Sequence, residues 1–320
     1  MKKVPARQIR ASSLNRALTV VGDLWSLLIV RDAFLGVRLF EEFQRRLEIP
    51  RQTLVNRLRH LVDHFVLYKK PYRERPLRYE YRLTGKGLDL YAVVLMVWRW
   101  QRKWGNPHPL PQALRHRTCG QAMHPVIACR HCGGEVLIDD IDVAPGPGAG
   151  LEPVGPRGKR WTLPLEQTPA ERRRVGQHLP YLMADRWTHL VLSTLFRGRT
   201  SYEAIQAQLQ ISSNILAHRL RLLAETGLLR KTPSEADARR FVYELTDKGR
   251  DVFPMTLSLA LWADRWLVTS AGAPRVRLHR PCGAQLAAIP ACSACGGELR
   301  PWEVAFGAAE PAPRKVAATV

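Results

Sequence analysis

The chain has 320 residues, of which 46% are apolar, so it can form real hydrophobic cores in about two domains of ordinary size. Its 49 Lys and Arg residues against 28 Asp and Glu residues give a net charge of +21, which indicates a polyanionic partner. Its apolar runs are far shorter than the roughly 20 residues that span a bilayer, and no apolar segment follows the basic N-terminus. We therefore expect a cytoplasmic, nucleoid-associated protein with no membrane partner.

The chain contains an internal repeat. Trp25 lies 162 positions before Trp187, and the same offset separates Trp100 from Trp262. Further pairs agree without a gap: Asp23 and Asp185, Arg57-Leu58-Arg59 and Arg219-Leu220-Arg221, Tyr81 and Tyr243, Thr84 and Thr246, Lys86 and Lys248, Gly87 and Gly249, Trp104 and Trp266. Such agreement indicates a duplication, so each half is expected to fold as a comparable unit.

Hydrophobic periodicity and turn signals predict a chain of helices, a two-stranded hairpin and a final helix in the first unit. The expected spans are helices at about Leu14–Val20, Leu24–Phe34, Leu39–Leu47 and from Arg51, strands at Val66–Lys70 and Arg78–Leu83, and a last helix at about Thr84–Trp104. This order is typical of a winged helix-turn-helix, with the hairpin as the wing. The second unit repeats the plan from about Leu182 to Trp266.

The stretch from Leu47 to Phe65 has the pattern of a recognition helix, and the stretch from Leu209 to Gly227 repeats it. Its apolar face comprises Leu54, Leu58, Leu61 and Phe65, and its opposite face comprises Gln52, Asn56, Arg59 and Asp63. Polar side chains at the start of an exposed helix can reach base edges in a major groove. The same pattern is also typical of an ordinary surface helix, so its surroundings decide the interpretation.

Four motifs carry a family resemblance. GDLWSLLIVRD, RLFEEF, RQTLVNRL and YRLTGKG resemble the HxlR family of bacterial winged-helix transcriptional regulators, and the second half is similar but more diverged. The resemblance implies a DNA-binding regulator. Such a regulator is usually a homodimer joined through its terminal helices, with a recognition helix and a wing from each subunit on the operator.

Two departures from the family pattern matter. The family commonly has a cysteine just before the first helix, where this chain has Ser12 and Ser13, so thiol sensing at that place is excluded. Phe65 stands where the family has a helix-ending glycine, which the second copy keeps as Gly227. Because a non-glycine residue is strained in a left-handed conformation, we expect the first recognition helix to end differently.

The candidate DNA-binding residues follow from this fold, because the first turns of a recognition helix read bases and other basic residues hold phosphates. In the first unit they are Arg51, Gln52, Thr53 and Asn56 for bases, Arg57 and Arg59 for phosphates, and the wing residues Lys69, Lys70, Arg73, Arg75 and Arg78. In the second unit they are Ser213, Asn214, Ile215, His218, Arg219 and Arg221, with the wing residues Lys231, Arg239 and Arg240. The second set differs chemically from the first, and Glu235 and Asp237 reduce the positive charge of its wing. We therefore expect the first unit to supply most of the DNA affinity, and the two half-sites of the operator to be unequal.

The repeated tryptophans are interpreted as core and interface packing rather than as a ligand pocket. The terminal helix of the first unit carries an apolar stripe that includes Leu90, Val94 and Val97, and this stripe is expected to meet its counterpart in the second unit. The chain would then be a pseudo-dimer within one polypeptide. Further dimerisation and a small-molecule effector are left open.

Each winged unit is followed by a Cys/His cluster with an H-x2-C-G motif and then a C-x2-C-G-G motif. In an unexported chain this spacing favours metal binding over disulfides, and four such ligands complete a closed tetrahedral site. We therefore expect two structural zinc ions, one held by His116, Cys119, Cys129 and Cys132, the other by His279, Cys282, Cys292 and Cys295. Redox-switched zinc or disulfide chemistry, and thiols without metal, are the alternatives.

The predicted fold is mainly α with small β-wings, as two winged helix-turn-helix domains in tandem, each with a short zinc-ribbon-like appendage. The expected boundaries are 1–107 and 166–272 for the winged domains, 108–142 and 273–306 for the Cys/His modules, 143–165 for a flexible Pro/Gly-rich linker, and 307–320 for a disordered tail.

The preferred function is sequence-specific binding of double-stranded DNA as a transcriptional regulator, with repression as the expected outcome. The alternative is a redox- or metal-responsive regulator in which the Cys clusters are the sensing element. No enzyme activity is expected, because the chain lacks the Walker, G-x-S-x-G, G-x-G-x-x-G and H-E-x-x-H motifs.

Overall fold

A computed structural model describes residues 8–105, 113–153, 179, 185–234, 237 and 240–307. The elements of the first winged unit are β1 (Gln8–Arg10), α1 (Ser13–Val21), α2 (Leu24–Phe34), α3 (Phe40–Leu47), α4 (Arg51–Asp63), β2 (Leu67–Glu74), β3 (Leu77–Leu83), α5 (Gly85–Leu88) and α6 (Tyr91–Trp104). The helix–hairpin–helix order expected from the sequence is confirmed. The last helix is divided, because the Leu90 amide donates to the Gly87 carbonyl three residues back and closes α5 as a short turn.

The second half repeats this order. Five short strands come between the two winged units, namely β4 (Ala113–His116), β5 (Ala122–Met123), β6 (Pro125–Cys129), β7 (Ile141–Pro145) and β8 (Leu151–Pro153). The second unit and its following strands are α7 (Arg186–Leu195), α8 (Tyr202–Leu209), α9 (Ser213–Glu225), β9 (Leu229–Pro233), β10 (Phe241–Leu245), α10 (Asp247–Arg250), α11 (Phe253–Trp266), β11 (Arg275–His279), β12 (Ala288–Cys292) and β13 (Val304–Gly307). Helices α7 to α11 each begin 162 positions after α2 to α6, which confirms the duplication.

The repeated polar and glycine residues explain why both copies form the same elements. Thr84 caps α5 by accepting the Gly87 amide, and Thr246 caps α10 in the same way. A Cβ atom on Gly87 would lie 2.2 Å from the carbonyl oxygen of Val66, so this close approach of helix and wing requires glycine. Gly249 meets the equivalent carbonyl in the second unit.

Helix α4 buries the apolar face predicted for it, with Leu54, Leu58 and Leu61 fully inside the core. Phe65 is an exception, because its side chain is 73% exposed. It has φ +57°, close to the +75° of Gly227, and each residue is followed by an amide that bonds back into its helix. The expectation that the first recognition helix ends differently is therefore wrong. The two helices end alike, and Phe65 is held in the left-handed conformation.

The two winged units meet through their terminal helices. Helix α6 packs against α11, and α1 packs against α11 from the other unit. The indole of buried Trp100 donates to the Lys248 carbonyl at 3.0 Å, and the indole of Trp262 donates to the Lys86 carbonyl at 2.8 Å. Each terminal helix therefore reaches the short helix of the opposite unit, and the interpretation of these tryptophans as interface packing is confirmed.

The strands that follow the two winged units are exchanged between the halves. Strand β6 pairs with β12, β4 pairs with β13, and β7 pairs with β11, all antiparallel. Each of these pairs joins one copy of the Cys/His module to the other. The modules expected at 108–142 and 273–306 are therefore not independent of each other, because their strands pair across the two copies.

Residues 143–153 of the Pro/Gly-rich stretch expected as a flexible linker have a defined structure. Its first residues lie in β7, and β8 pairs with β1. The amides of Gly146 and Gly148 donate to the carbonyls of Pro274 and Ala273, both at 3.0 Å. A Cβ on Gly146 would lie 2.4 Å from the Ala273 oxygen, so glycine serves close packing here rather than flexibility. Residues 154–165 lie outside the described part of the chain.

Two further expectations concern the membrane and the C-terminal tail. None of the helices described is both long and apolar enough to cross a bilayer. Residue 307, expected to be the first residue of the tail, is instead the last residue of β13, where Gly307 pairs with Ala113. Residues 308–320 lie outside the described ranges.

Candidate DNA-binding surface and metal centres

The first recognition helix, α4, presents the predicted polar residues to solvent. Arg51, Gln52, Asn56 and Arg59 are exposed, and Thr53 is half-buried. The Gln52 amide donates to the Asn56 side chain at 3.2 Å, and the Arg51 guanidinium lies 5.0 Å from the centre of the Phe40 ring. These contacts orient the base-reading candidates along one face of the helix, where donors and acceptors remain available.

The second recognition helix, α9, has a different first turn. Ser213 and Asn214 are exposed, but the Ser213 hydroxyl accepts from Gln206 and its carbonyl accepts from the Tyr202 hydroxyl, both at 2.9 Å. Ser213 therefore holds α8 against α9, at the position where Arg51 carries a positive charge in the first unit. Further along, Arg221 is exposed and His218 is half-buried.

Arg57 and Arg219 form ion pairs inside their own units. Arg219 makes two bonds to the Asp185 carboxylate, at 2.6 and 2.8 Å, and Arg57 lies 3.3 Å from the Asp23 carboxylate. Asp23 also caps the N-terminus of α2, and Asp185 caps the N-terminus of α7. This placement does not support the expectation that Arg57 and Arg219 hold phosphates. It indicates a positioning role, because each pair ties the recognition helix to the start of α2 or α7.

The first wing is longer and more basic than the second. Strands β2 and β3 have eight and seven residues, whereas β9 and β10 have five each. The exposed basic residues of the first wing are Lys69, Lys70, Arg73, Arg75 and Arg78. Arg73 lies directly opposite Arg78 in the hairpin, a pairing of like charges that favours a nearby anion.

The basic residues of the second wing have partners within the wing. The Lys231 ammonium lies 3.8 Å from the centre of the Phe241 ring, and the Arg240 guanidinium lies 3.7 Å from the Asp237 carboxylate. Arg239 lies outside the described residues. The difference in charge that the sequence predicted between the wings is thus present in the structure.

All eight predicted metal ligands gather in two clusters. One consists of His116, Cys119, Cys292 and Cys295, the other of Cys129, Cys132, His279 and Cys282, and the ligand atoms of each cluster lie within 4.8 Å of one another. The residues are those predicted, but the grouping is wrong. Each cluster takes the His-x2-Cys segment of one copy and the Cys-x2-Cys segment of the other.

Strand geometry explains the exchange. Cys119 precedes β6 and Cys129 ends it, so an extended strand separates the two pairs of ligands within one copy. From Pro125 to Cys129 four residue steps span about 13 Å, too far for one tetrahedral site. In the antiparallel pairing of β6 with β12, Cys292 lies opposite Pro125. The partner strand therefore brings its own cysteines to the end of β6 that is near Cys119.

The clusters fit a tetrahedral metal ion. The Cys295 sulfur lies 3.3 Å from His116 Nδ1, and the Cys119 sulfur lies 4.0 Å from that of Cys292. Ligands at zinc–sulfur distances of about 2.3 Å would lie about 3.8 Å apart, within reach of these spacings. The backbone amide of Gln121 lowers the pKa of the Cys119 thiol, which favours the thiolate that a metal binds.

The comparison with known families decides the identity of the fold. The profile described as HxlR-like helix-turn-helix matches residues 20–109 and, separately, residues 182–271, together more than half of the chain. The chain belongs to the HxlR-like helix-turn-helix family. The two HxlR-like matches lie over the two winged units, so the family's helix-turn-helix domain is present twice.

Known relatives of this HxlR-like chain are transcriptional regulators. An HTH-type transcriptional regulator of Mycobacterium bovis is 42% identical over 144 residues, which cover 45% of this chain and 91% of the relative. The HTH-type transcriptional regulator YvaP of Bacillus subtilis is 29% identical over 87 residues, 27% of this chain and 81% of the relative. The chain is accordingly a DNA-binding transcriptional regulator and not an enzyme.

Sequence reasoning missed two functional features of this HxlR-like chain. Asp23 and Asp185 were noted as repeated residues, but their role in anchoring Arg57 and Arg219 depends on contacts across 34 residues. Their equal offset in both copies was the available signal. The spacing of the Cys and His residues could not show that each cluster combines residues of both copies. A cluster within one copy and a cluster shared between the copies both contain one histidine and three cysteines.

Proposed function

We propose that the chain is a repressor that binds an asymmetric double-stranded operator as a pseudo-dimer within one polypeptide. Helices α4 and α9 would enter neighbouring major grooves, each with its wing on the adjoining backbone. The observation that carries this proposal is the reciprocal contact of Trp100 and Trp262, which joins two recognition helices in one chain as two subunits are joined in a dimer. A regulator of chromosomal operators acts in the cytoplasm, at the nucleoid.

In the first half-site the exposed residues of α4 would read bases. Arg51 can bind guanine through two hydrogen bonds, and Gln52 or Asn56 can bind adenine in the same manner. Arg59 and the basic residues of the first wing would hold phosphates. Arg57 is left out of this set, because its guanidinium already pairs with Asp23.

In the second half-site fewer groups are available for DNA. Asn214, His218 and Arg221 are the candidates on α9, while Ser213 is engaged with α8 and Arg219 with Asp185. Arg240 and Lys231 would add phosphate contacts, and Arg239 stays a candidate from its sequence position. We therefore expect the second unit to contribute orientation and spacing more than affinity.

Selection of bound sequences from a random DNA pool tests the proposal. The expected site has two unequal half-sites, with the stronger base preference contributed by α4. Asn56→Ala should relax the preference at one base pair and weaken binding by about 1–3 kcal/mol, while the control His218→Ala has a smaller effect. A symmetric palindrome as the selected site would contradict the asymmetry, and no enrichment at all would contradict sequence-specific binding.

Repression is tested with a promoter that carries the selected site ahead of a reporter gene. Expression of the chain should lower transcription from this promoter, and the Asn56→Ala variant should restore it. An increase in transcription would assign activation instead.

The two clusters would hold structural zinc, one ion each. Zinc favours three thiolates and one imidazole in a closed tetrahedral site, which leaves no open position for chemistry. His116, Cys119, Cys292 and Cys295 would hold one ion, and Cys129, Cys132, His279 and Cys282 the other. Metal analysis of dialysed protein should give two zinc ions per chain, whereas six reactive thiols and no zinc would contradict the assignment.

The second candidate function is a redox- or metal-responsive regulator. It is supported by the close approach of thiols from the two copies. The sulfurs of Cys129 and Cys282 lie 4.0 Å apart, so loss of metal would leave neighbouring thiols from different halves of the chain. Replacing Cys129 by Ser separates the two roles. Loss of response to oxidant at unchanged operator affinity supports sensing, and a fall in stability alone supports a structural site.

A further inference from the structure

A cavity of about 660 Å³ lies between the two repeats. Its walls come from the start of α1 in the first unit, the end of α7 and the first turns of α11 in the second unit, and the paired strands β7 and β11. Its volume falls in the range of small-molecule sites, which is about 300–1,000 Å³. None of the candidate DNA-binding or metal-binding residues described above lines the cavity, although His279 lies on the same strand, β11, as two of its wall residues. Neither role therefore accounts for the cavity.

The walls of the cavity carry an excess of positive charge. Two aspartates line it, against six arginines, namely Arg10, Arg197, Arg199, Arg275, Arg277 and Arg280. Arg277 is paired with Asp264 and Arg280 with Asp142. The other four have no ion-pair partner in the described parts of the chain, and lining Asp139 is paired with Arg250. The cavity therefore has uncompensated charge.

Two of these arginines are largely withdrawn from water. Burial lowers the pKa of Arg197 to about 9, and the neighbouring Arg275, Arg199 and Arg277 add to the effect. Burial and Arg277 likewise lower the pKa of Arg275 to about 10, although the Asp264 carboxylate partly opposes this shift. Among the described residues, the Arg197 guanidinium, just after the end of α7, donates only to neutral partners, the hydroxyls of Ser193 and Thr194. Desolvated like charges destabilise each other, and a bound anion would remove this penalty.

The remaining walls define what such an anion would look like. Phe196, Phe253, Leu257 and Ala260 contribute apolar surface to the same cavity. Ser13 and Leu14, in the first turn of nine-residue α1, also line it, and the positive end of a helix adds to the attraction for negative charge. A ligand with a carboxylate or phosphate group and an apolar body would match both kinds of wall.

We propose that this cavity binds a small organic anion of that kind. Arg197 and Arg275 would bind its anionic group, with Arg10 and Arg199 contributing attraction at the rim, and Phe196 and Phe253 would contact its apolar part. Because both repeats line the cavity, bound anion would bias how the two winged units are held. This second step, and only this step, rests on the proposed function as a DNA-binding pseudo-dimer.

Binding is tested on the full chain without DNA. Benzoate, citrate and inorganic phosphate serve as probes, at an ionic strength held constant with sodium chloride, with thermal unfolding and calorimetry as readouts. We expect at least one probe to raise Tm saturably with one site per chain. Stabilisation equal to that by sodium chloride alone, or none by any probe, would overturn the proposal.

The variant Arg275→Gln separates a ligand site from a structural cluster. It removes one repelling charge and keeps most of the side-chain volume, so it should raise Tm of the ligand-free protein and weaken probe binding at least tenfold. A structural arginine would behave in the opposite way, and a lower Tm with unchanged probe binding would overturn the proposal. The control Arg45→Gln, at an exposed arginine on α3, should leave probe binding unchanged.

The regulatory step has its own readout. Operator affinity is measured with and without the stabilising probe at matched ionic strength, in the unmodified chain and in Arg275→Gln. A change in affinity only in the unmodified chain supports coupling, and equal affinities contradict it. If the chain binds no DNA, the proposed function fails, while the Tm and calorimetric results still decide on the anion site.

Discussion

Phe65 shows how a single residue can keep a family geometry at a cost. It adopts the left-handed conformation that Gly227 adopts in the second unit, yet its side chain is mostly in solvent. A residue with a Cβ in this conformation is destabilised by roughly 1–2 kcal/mol, partly offset by the extra freedom of glycine in the unfolded chain. Little packing is available to compensate for it.

Phe65→Gly should therefore stabilise the protein by about 0.5–1 kcal/mol, and Gly227→Ala should destabilise it by about 1 kcal/mol, as measured by denaturant unfolding. No atom lies within 4 Å of a Cβ built on Gly227, so the second effect is one of backbone conformation alone. Phe65→Ala is the control, since it removes the ring and keeps the strain. Equal effects of Phe65→Gly and Phe65→Ala would contradict the explanation.

His60 makes the stability of the first unit depend on pH. Burial lowers its pKa below the usual 6.5, and the nearby His64 ring lowers it further. Contact of its Nε2 with the Val20 carbonyl, at 3.1 Å, opposes this shift only in part. His60 is therefore protonated at a higher pH in the unfolded chain than in the folded chain. Its contribution to the free energy of unfolding is complete above pH 6.5 and decreases as the pH falls below that value.

We expect the free energy of unfolding to decrease as the pH falls from about 6.5 to about 5.5, in part through His60. His64→Gln removes the neighbouring imidazole, whose electrostatic effect lowers the pKa of His60, and should make this decrease smaller. Denaturant midpoints measured across the range for both proteins check the expectation. A decrease as steep in His64→Gln as in the unmodified chain would show that the pair is not responsible.

At the scale of elements, the two wings differ in length and in available charge, which predicts unequal salt dependence. Lys70, Arg73 and Arg75, changed together to Gln, should reduce the slope of log affinity against log salt by up to about 0.9 for each phosphate that these side chains neutralise. The matched change of Arg230, Lys231 and Arg240 to Gln should have a smaller effect, because these residues contact Glu244, Phe241 and Asp237. Fluorescence anisotropy with the selected operator measures both slopes, and equal reductions would contradict the asymmetry.

The crossed metal clusters make a prediction that the uncrossed grouping reverses. Cys119 and Cys292 share a cluster, so replacing both by Ser should release one metal ion and leave the second bound. Cys119 and Cys129 belong to different clusters, so replacing both should release two. Cobalt substitution with its thiolate absorption measures the number of sites left. One ion retained in Cys119→Ser/Cys129→Ser, and none in Cys119→Ser/Cys292→Ser, would restore the uncrossed grouping.

The elements that sequence predicted well are those fixed by local signals. Helix α4 follows from the spacing of Leu54, Leu58 and Leu61, and the repeat carried the same conclusion to α9. The eight Cys and His residues of the two clusters were predicted from their chemistry and spacing. Their partners did not, because the choice between two clusters depends on how far β6 extends and on which strand it pairs with. Likewise, the sequence predicted Gly146 and Gly148 to be part of a flexible linker. It could not show that their backbone packs closely against residues 272–275 of the second half.

The whole molecule should unfold as one unit, because contacts between the halves occur at two separate places. The terminal helices exchange the Trp100 and Trp262 hydrogen bonds, and the strands after them share both metal clusters. Arg99 links the two regions: it lies on α6, and its guanidinium forms an ion pair of 2.8 Å with the Glu135 carboxylate beside the metal clusters. Loss of metal should therefore weaken the contact between winged units as well as the clusters themselves.

Removal of metal with a chelator should lower Tm by more than about 10 °C in a single transition, with far-ultraviolet circular dichroism and tryptophan fluorescence changing together. Addition of zinc should restore the original value. Two separate transitions in the metal-free chain, one of them at the original temperature, would show that a winged unit is stable without the shared clusters.

The strand exchange also changes the kinetic order of metal loading. A chain with one copy of this pattern could complete a cluster only by meeting another chain, so loading would depend on the square of the protein concentration. In the duplicated chain all four ligands of each cluster are tethered, and their encounter is set by an effective concentration that dilution does not alter. Loading of the two proposed metal sites should therefore proceed at the same rate when the protein is diluted.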